Sequence, residues 1–194
     1  MVSLAVTLLN GEGAAAIIAG FIPARFAPGF VAGLPDMAPA ALTPLTATLL
    51  HGGVMHLLMN MVMFVYAGAA VERAVGGRGL VALYVVGAYA AAFGQWLPDP
   101  GSPNPMIGAS GAASAVLGAY SLLYGRSRAR AFGPVPERVV QALWLALSWS
   151  LLNIVVATIA HDAGLDIAAG AHIGGFIAGL LLARPLLAWR YRDA

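Results

Sequence analysis

Residues 139–160 read VVQALWLALSWSLLNIVVATIA and carry no charge from end to end. A helix that crosses the hydrocarbon core of a bilayer needs about 20 mostly apolar residues at about 1.5 Å rise each. This run meets that length. Outward from it, so do Val54–Val71, Leu80–Leu97, Met106–Tyr124 and a run from Ile167 to about Ala183 that continues past Arg184 toward Trp189. The expected fold class is therefore all-α, a polytopic membrane helix bundle with five complete spans. Composition points the same way, since 60% of the 194 residues are hydrophobic and only 9% charged, against about 25% charged in a soluble domain. At a mean hydropathy of +0.84 the excess apolar surface must face lipid, which excludes most cytosolic enzyme classes. With no cysteine, neither a disulfide framework nor a thiolate nucleophile or metal site is available.

The first residues differ. Val2–Leu9 and Ala14–Ile22 are split by Asn10-Gly-Glu-Gly13, and neither piece alone spans a bilayer. Joining them would place Glu12 near mid-membrane, at a cost of at least ~2.5 kcal/mol. Val2–Leu9 is read instead as the remnant of a truncated first spanning helix; a signal peptide would need a basic leading segment that this stretch lacks. Residues 10–42, with Glu12, Pro23, Pro28, Pro35, Asp36 and Pro39, read as a semi-apolar connection at the interface. The chain thus divides into 1–42, a partial first helix and interfacial loop, and 43–194, a membrane core that carries the candidate site.

All ten basic residues are arginines, against eight acids. Arg73 and Arg78 follow the first of the five runs, Arg126, Arg128, Arg130 and Arg138 follow the third, and Arg184, Arg190 and Arg192 follow the fifth. The connections after the second and fourth hold Asp99, Asp162 and Asp166 and no arginine. Cytoplasmic loops are enriched in Arg, so alternate loops face the cytoplasm. The runs that begin at Val54, Met106 and Ile167 each then start at the outer face.

Polar groups inside spanning helices are costly and mark function by default. Four stand out: His56, Asn60, Ser110 and His172. His56 and Asn60 are spaced i, i+4 and share a helix face. All four lie a few residues below the outer surface, roughly 5 to 10 Å in at the helical rise. A serine hydroxyl becomes a nucleophile when a neutral imidazole within reach takes its proton, and the oxyanion then needs donors. Gly108 and Gly111 flank Ser110, while Gly175 and Gly179 give the last helix a GxxxG face that can bring His172 against the Ser110 helix.

Each element alone has a plainer reading: packing for the glycine motif, an interior hydrogen bond for His172, interhelical contact for Asn60, the water interface for His56. His51 and His161 read as surface or loop residues, and no His spacing suits a metal. Ser114, Ser148, Ser150 and Asn153 read as packing hydrogen bonds, and Trp96, Trp144, Trp149 and Trp189 as interfacial or core aromatics.

Together the residues resemble a known family. The stretch His51-Gly-Gly-Val-Met-His56-Leu-Leu-Met-Asn60 resembles the rhomboid helix that carries a His and, four residues on, an Asn in its oxyanion site. Gly108-Ala-Ser110-Gly111 resembles the rhomboid GxSG nucleophile motif, and Ala171-His172-Ile-Gly-Gly-Phe-Ile-Ala-Gly179 the family's final catalytic helix. Ala70-Val-Glu-Arg73 with Gly76 and Gly77 is similar to its first cytoplasmic turn, so that the likeness covers about residues 43–183. The resemblance implies a six-helix core and a serine endopeptidase that cuts membrane-anchored proteins near the outer face. Ser110 would attack, His172 would act as base and then acid, and His56, Asn60 and the Ser110 N–H would hold the oxyanion. It implies a Ser-His dyad without a carboxylate. Asp166, six residues before His172, reads as a loop residue, so imidazole orientation is expected to come from packing. Some members carry an aromatic four residues after the nucleophile, where this chain has Ser114.

The expected partners are transmembrane protein substrates and the lipid bilayer, with no nucleic acid, no cofactor and no metal; oligomeric state is left open. Two rivals are a catalytically silent rhomboid-like adaptor that binds client helices and a transporter with a polar pathway. The adaptor would lack the nucleophile or base, and the transporter would spread polar residues across the membrane depth. Short loops and the arginine pattern suggest a bacterial inner membrane.

Overall fold

In lipid every backbone N–H and C=O must find a partner within the protein, and a helix provides one for nearly all of its own. The computed structural model describes residues 3, 12–30, 37–125, 129–163 and 166–192, and among them there is no β-strand, only isolated bridges. The helices are α1 (Glu12–Ala19), α2 (Thr43–Thr46), α3 (Val54–Trp96), α4 (Ser110–Tyr124), α5 (Glu137–Asp162) and α6 (Ala169–Arg190). Helices α3, α5 and α6 are long and apolar enough to cross a membrane. Apart from Ser3, the expected remnant helix at Val2–Leu9 lies outside the described residues, as do Arg126 and Arg128.

The sequence predicts two separate runs where α3 lies. The path of α3 breaks at Gly76, whose φ of 77° and ψ of 164° are non-helical. That φ is open to glycine and strained for other residues, so the chain turns back there. Phe64 and Tyr84, on opposite sides of the break, have ring centroids 5.4 Å apart, and Val71, Val75 and Leu83 share one buried cluster. Each limb is roughly 30 Å long at the helical rise. The first limb runs on to Val75 rather than stopping at Val71, because Glu72 and Arg73 do not end a helix whereas Gly76 does. Arg190, at the end of α6, closes this turn by donating to the carbonyls of Glu72 (3.1 Å) and Arg73 (2.5 Å).

Helix α4 sits at the centre, with Gly111 to Val116, Gly118 and Ala119 buried, between the limbs of α3 and α6. Glycine makes this possible. A Cβ on Gly175 would collide with the Gly111 carbonyl, and one on Gly179 with the Ala115 carbonyl. Helix α5 lies on the rim: only 6% of its most apolar stretch is buried, and Leu143, Trp144, Leu147, Leu151 and Ile159 face outward.

The segment read as a loop from residue 10 contains α1, an alanine-rich turn sequence with strong helix formers. The chain between α1 and α3 braces the approach to α4. Phe21 and Met106 exchange backbone hydrogen bonds (3.0 and 2.7 Å), and Gly108 N–H donates to the Ala47 carbonyl (2.9 Å). The expected helix start at Met106 is thereby displaced to Ser110, because Met106 is committed to the bridge and Gly108 has φ 115°.

His51 corrects an expectation. It is in a loop but buried, at 5% exposure. Its Nε2 accepts the Ala109 N–H (3.4 Å) and its Nδ1 lies 2.9 Å from Ser3 Oγ, which donates to the Leu49 carbonyl (2.8 Å). Burial, aided by the neighbouring His56, lowers the His51 pKa to about 4.

Two outcomes are expected in detergent. Gly179→Leu should destabilise by about 3 kcal/mol or more, since backbone cannot repack, lowering Tm by several degrees. Leu181→Ala, on the exposed face, should change it little; equal Tm for parent and Gly179→Leu would contradict the seam. Second, an unfolded His51 binds its proton near pH 6.5 and the folded one only near pH 4, so stability should fall as pH drops through that window. His51→Gln should flatten the fall, and an unchanged profile would contradict the burial of a neutral imidazole.

Candidate active site

Ser110 is the first residue of α4, not a residue some way into it as the apolar run suggests. The first N–H groups of a helix have no intrahelical acceptor, and the helix dipole adds partial positive charge there. Ahead of it, Gly108 adopts its left-handed φ, and a side chain at that position would strike the His56 ring, 2.8 Å from Cε1 and 2.9 Å from Nε2. The glycine therefore serves both the turn and the approach of an imidazole.

His172 lies in the first turn of α6. Its Nε2 is 2.8 Å from Ser110 Oγ, across the glycine seam between α4 and α6. His56, in the first turn of α3, accepts the Gly52 N–H at Nδ1 (3.2 Å). A neutral imidazole with Nδ1 as acceptor carries its proton on Nε2, so His56 presents a donor on the side that faces Gly108. Asn60, one turn on, is 3% exposed, and its Nδ2 has no hydrogen-bond partner among the described residues. A small cavity of about 10 Å3 adjoins Ser110, lined in part by Thr48, Ala91, Gly108 and Ala171; it has the space of roughly one water.

The structure thus brings Ser110 and His172 into direct contact, sets His56 against the turn before Ser110, and buries Asn60 one helical turn below His56. His161 is exposed, 3.5 Å from Asp166. Ser114, expected to make a packing hydrogen bond, is buried with no partner for its Oγ among the described residues.

Asn153 reads from the sequence as a packing hydrogen bond; the structure bears out the bond and shows that its partner is His172. Its Oδ1 is 2.7 Å from His172 Nδ1, and its Nδ2 donates to the Trp149 carbonyl (2.9 Å). Trp149 Nε1 in turn donates to the His172 carbonyl (3.2 Å), and its ring stacks on Phe176 with centroids 4.9 Å apart. Imidazole orientation therefore does not rest on packing alone. The available signal is the i, i+4 spacing of Trp149 and Asn153, an aromatic and an amide on one face of α5.

The family description "Rhomboid domain" matches residues 40–189. The chain is 33% identical over 149 residues to RHOMBOID-like protein 4 of Arabidopsis thaliana, an overlap that covers 74% of this chain and 33% of that protein. It is 30% identical over 138 residues to RHOMBOID-like protein 5 of the same plant, covering 71% and 41%. To Rhomboid protease GlpG of Pectobacterium atrosepticum it is 31% identical over 136 residues, covering 70% and 45%. The chain spans less than half the length of these relatives, and no solved structure matches it. A single domain description over most of the sequence, on a bundle of apolar helices, makes the chain an integral membrane protein that belongs to the rhomboid family.

Proposed function

We propose that this chain is an intramembrane serine endopeptidase that cuts membrane-anchored proteins near the outer face of a bacterial inner membrane. The contact of Ser110 Oγ with His172 Nε2 at 2.8 Å carries this reading. The Ser110 hydroxyl donates its proton to Nε2 as Oγ attacks the scissile carbonyl carbon, and His172 returns that proton to the leaving amine as the C–N bond breaks. Water then adds to the acyl-enzyme with His172 again as base, releasing the acid and restoring Ser110. The negative oxygen formed at each addition needs donors. The Ser110 backbone N–H at the start of α4, His56 Nε2–H and the Asn60 amide supply them.

The unpartnered Asn60 donor supports this assignment, because leaving a buried donor unpaired costs about 1–3 kcal/mol and a ligand oxygen would recover it. In a substrate helix the scissile carbonyl is already hydrogen-bonded, so the segment must unwind locally before attack, and helix-weak sequences are favoured. In the membrane we place the starts of α3, α4 and α6 at the outer side and the Gly76 turn, closed by Arg190, at the cytoplasmic side. The α3 limbs, α4, α5 and α6 are then five spans.

Cleavage of a single-span substrate in liposomes tests the reading. The parent chain should cleave, whereas Ser110→Ala and His172→Ala should abolish cleavage and keep their Tm; full activity in either, or none in the parent, would overturn the assignment. Asn60→Ala and His56→Ala should each lower kcat by roughly 10² to 10³, as for loss of one oxyanion donor. If neither change slows the reaction, those roles fall.

A further inference from the structure

The polar groups around His172 include one with no part in the attack, proton transfer or oxyanion binding. Asn153 is the buried polar residue of α5, at 7% exposure, on a helix that buries only Ala160 besides. Its amide is not free to turn. The Trp149 carbonyl can only accept, so the group 2.9 Å from it is the NH2, and the oxygen is the group 2.7 Å from His172 Nδ1. Turning the amide would set two oxygens against each other. An amide oxygen can only accept, so Nδ1 carries the imidazole proton, and a neutral ring then has its lone pair on Nε2, facing Ser110 Oγ at 2.8 Å.

We propose that Asn153 is a positioning residue that holds His172 in the Nδ1–H tautomer, making the working unit Ser110–His172–Asn153 rather than a dyad. The inference rests on the reading of Ser110 as nucleophile and His172 as base. The Nε2–H tautomer would face the hydroxyl with a hydrogen and could not accept its proton, so every molecule in that state is inactive. Asn153 removes that state and fixes the ring plane. It does so without a carboxylate, whose burial at this depth would be costly, and its oxygen also accepts from the imidazolium formed during attack. Trp149, one turn earlier, holds the His172 carbonyl and stacks on Phe176. Backbone and side chain of the same histidine are thereby gripped by one face of α5.

The experiment compares parent, Asn153→Leu and Ser110→Ala in cleavage kinetics, with 15N spectra of histidine-labelled parent protein. Leucine keeps the volume and loses the acceptor. For Asn153→Leu, kcat should fall about ten- to a hundredfold, a part of the roughly 10² to 10⁴ that a positioned base supplies, while KM stays within about twofold of the parent. In the parent, His172 should carry its proton on Nδ1. A folded Asn153→Leu with parental kcat, or an Nε2–H tautomer in the parent, would overturn the inference, and the spectrum decides even where the variant does not fold. Full activity of Asn153→Leu beside an inactive Ser110→Ala would sink this inference alone; cleavage by Ser110→Ala would sink the nucleophile itself.

Discussion

Ser110 and His172 belong to different helices, and their contact is possible only because the backbones of α4 and α6 touch. A methyl group on Gly175, Gly179 or Gly118 would run into a carbonyl of the facing helix. In lipid no hydrophobic force drives such helices together, so close packing of small residues must supply the attraction. The seam therefore serves cohesion and chemistry at once. At one end of it the hydroxyl meets the imidazole, and a shift along it would separate them.

The chemistry also needs irregular backbone, which a bilayer tolerates only where protein covers it. The turn before Ser110 meets that condition. Met106 and Gly108 give their backbone groups to Phe21 and Ala47, and His51 accepts from Ala109. These backbone groups, freed by the late start of α4, are taken up by Phe21, Ala47 and His51. The first N–H groups of a helix have no intrahelical acceptor, and His56 lies against the turn that precedes α4, an environment suited to a developing negative charge.

Much of this is legible in the sequence because apolar runs and polar exceptions are rare combinations. His56, Asn60, Ser110 and His172 stand out as costly groups in spans, and the arginine pattern groups their helices by direction. The limits are physical as well. Hydropathy marks where a segment is apolar, not where its backbone is helical, so Met106–Gly108 looks like helix and the α1 segment like loop. His51 reads as a surface or loop residue because its burial comes from partners distant in the chain. Asn153 reads as a packing hydrogen bond because its partner is undefined until the helix is placed, and only the rotation of α5 directs it to His172.

Covalent labelling tests the nucleophile most directly. A fluorophosphonate reacts with an activated serine, forming an O–P bond with loss of fluoride, and mass spectrometry of the protein in detergent locates the adduct. A nucleophilic Ser110 with His172 as its base predicts a single adduct on Ser110 that disappears in His172→Ala. No adduct on the folded parent, or an adduct on another serine, would contradict it.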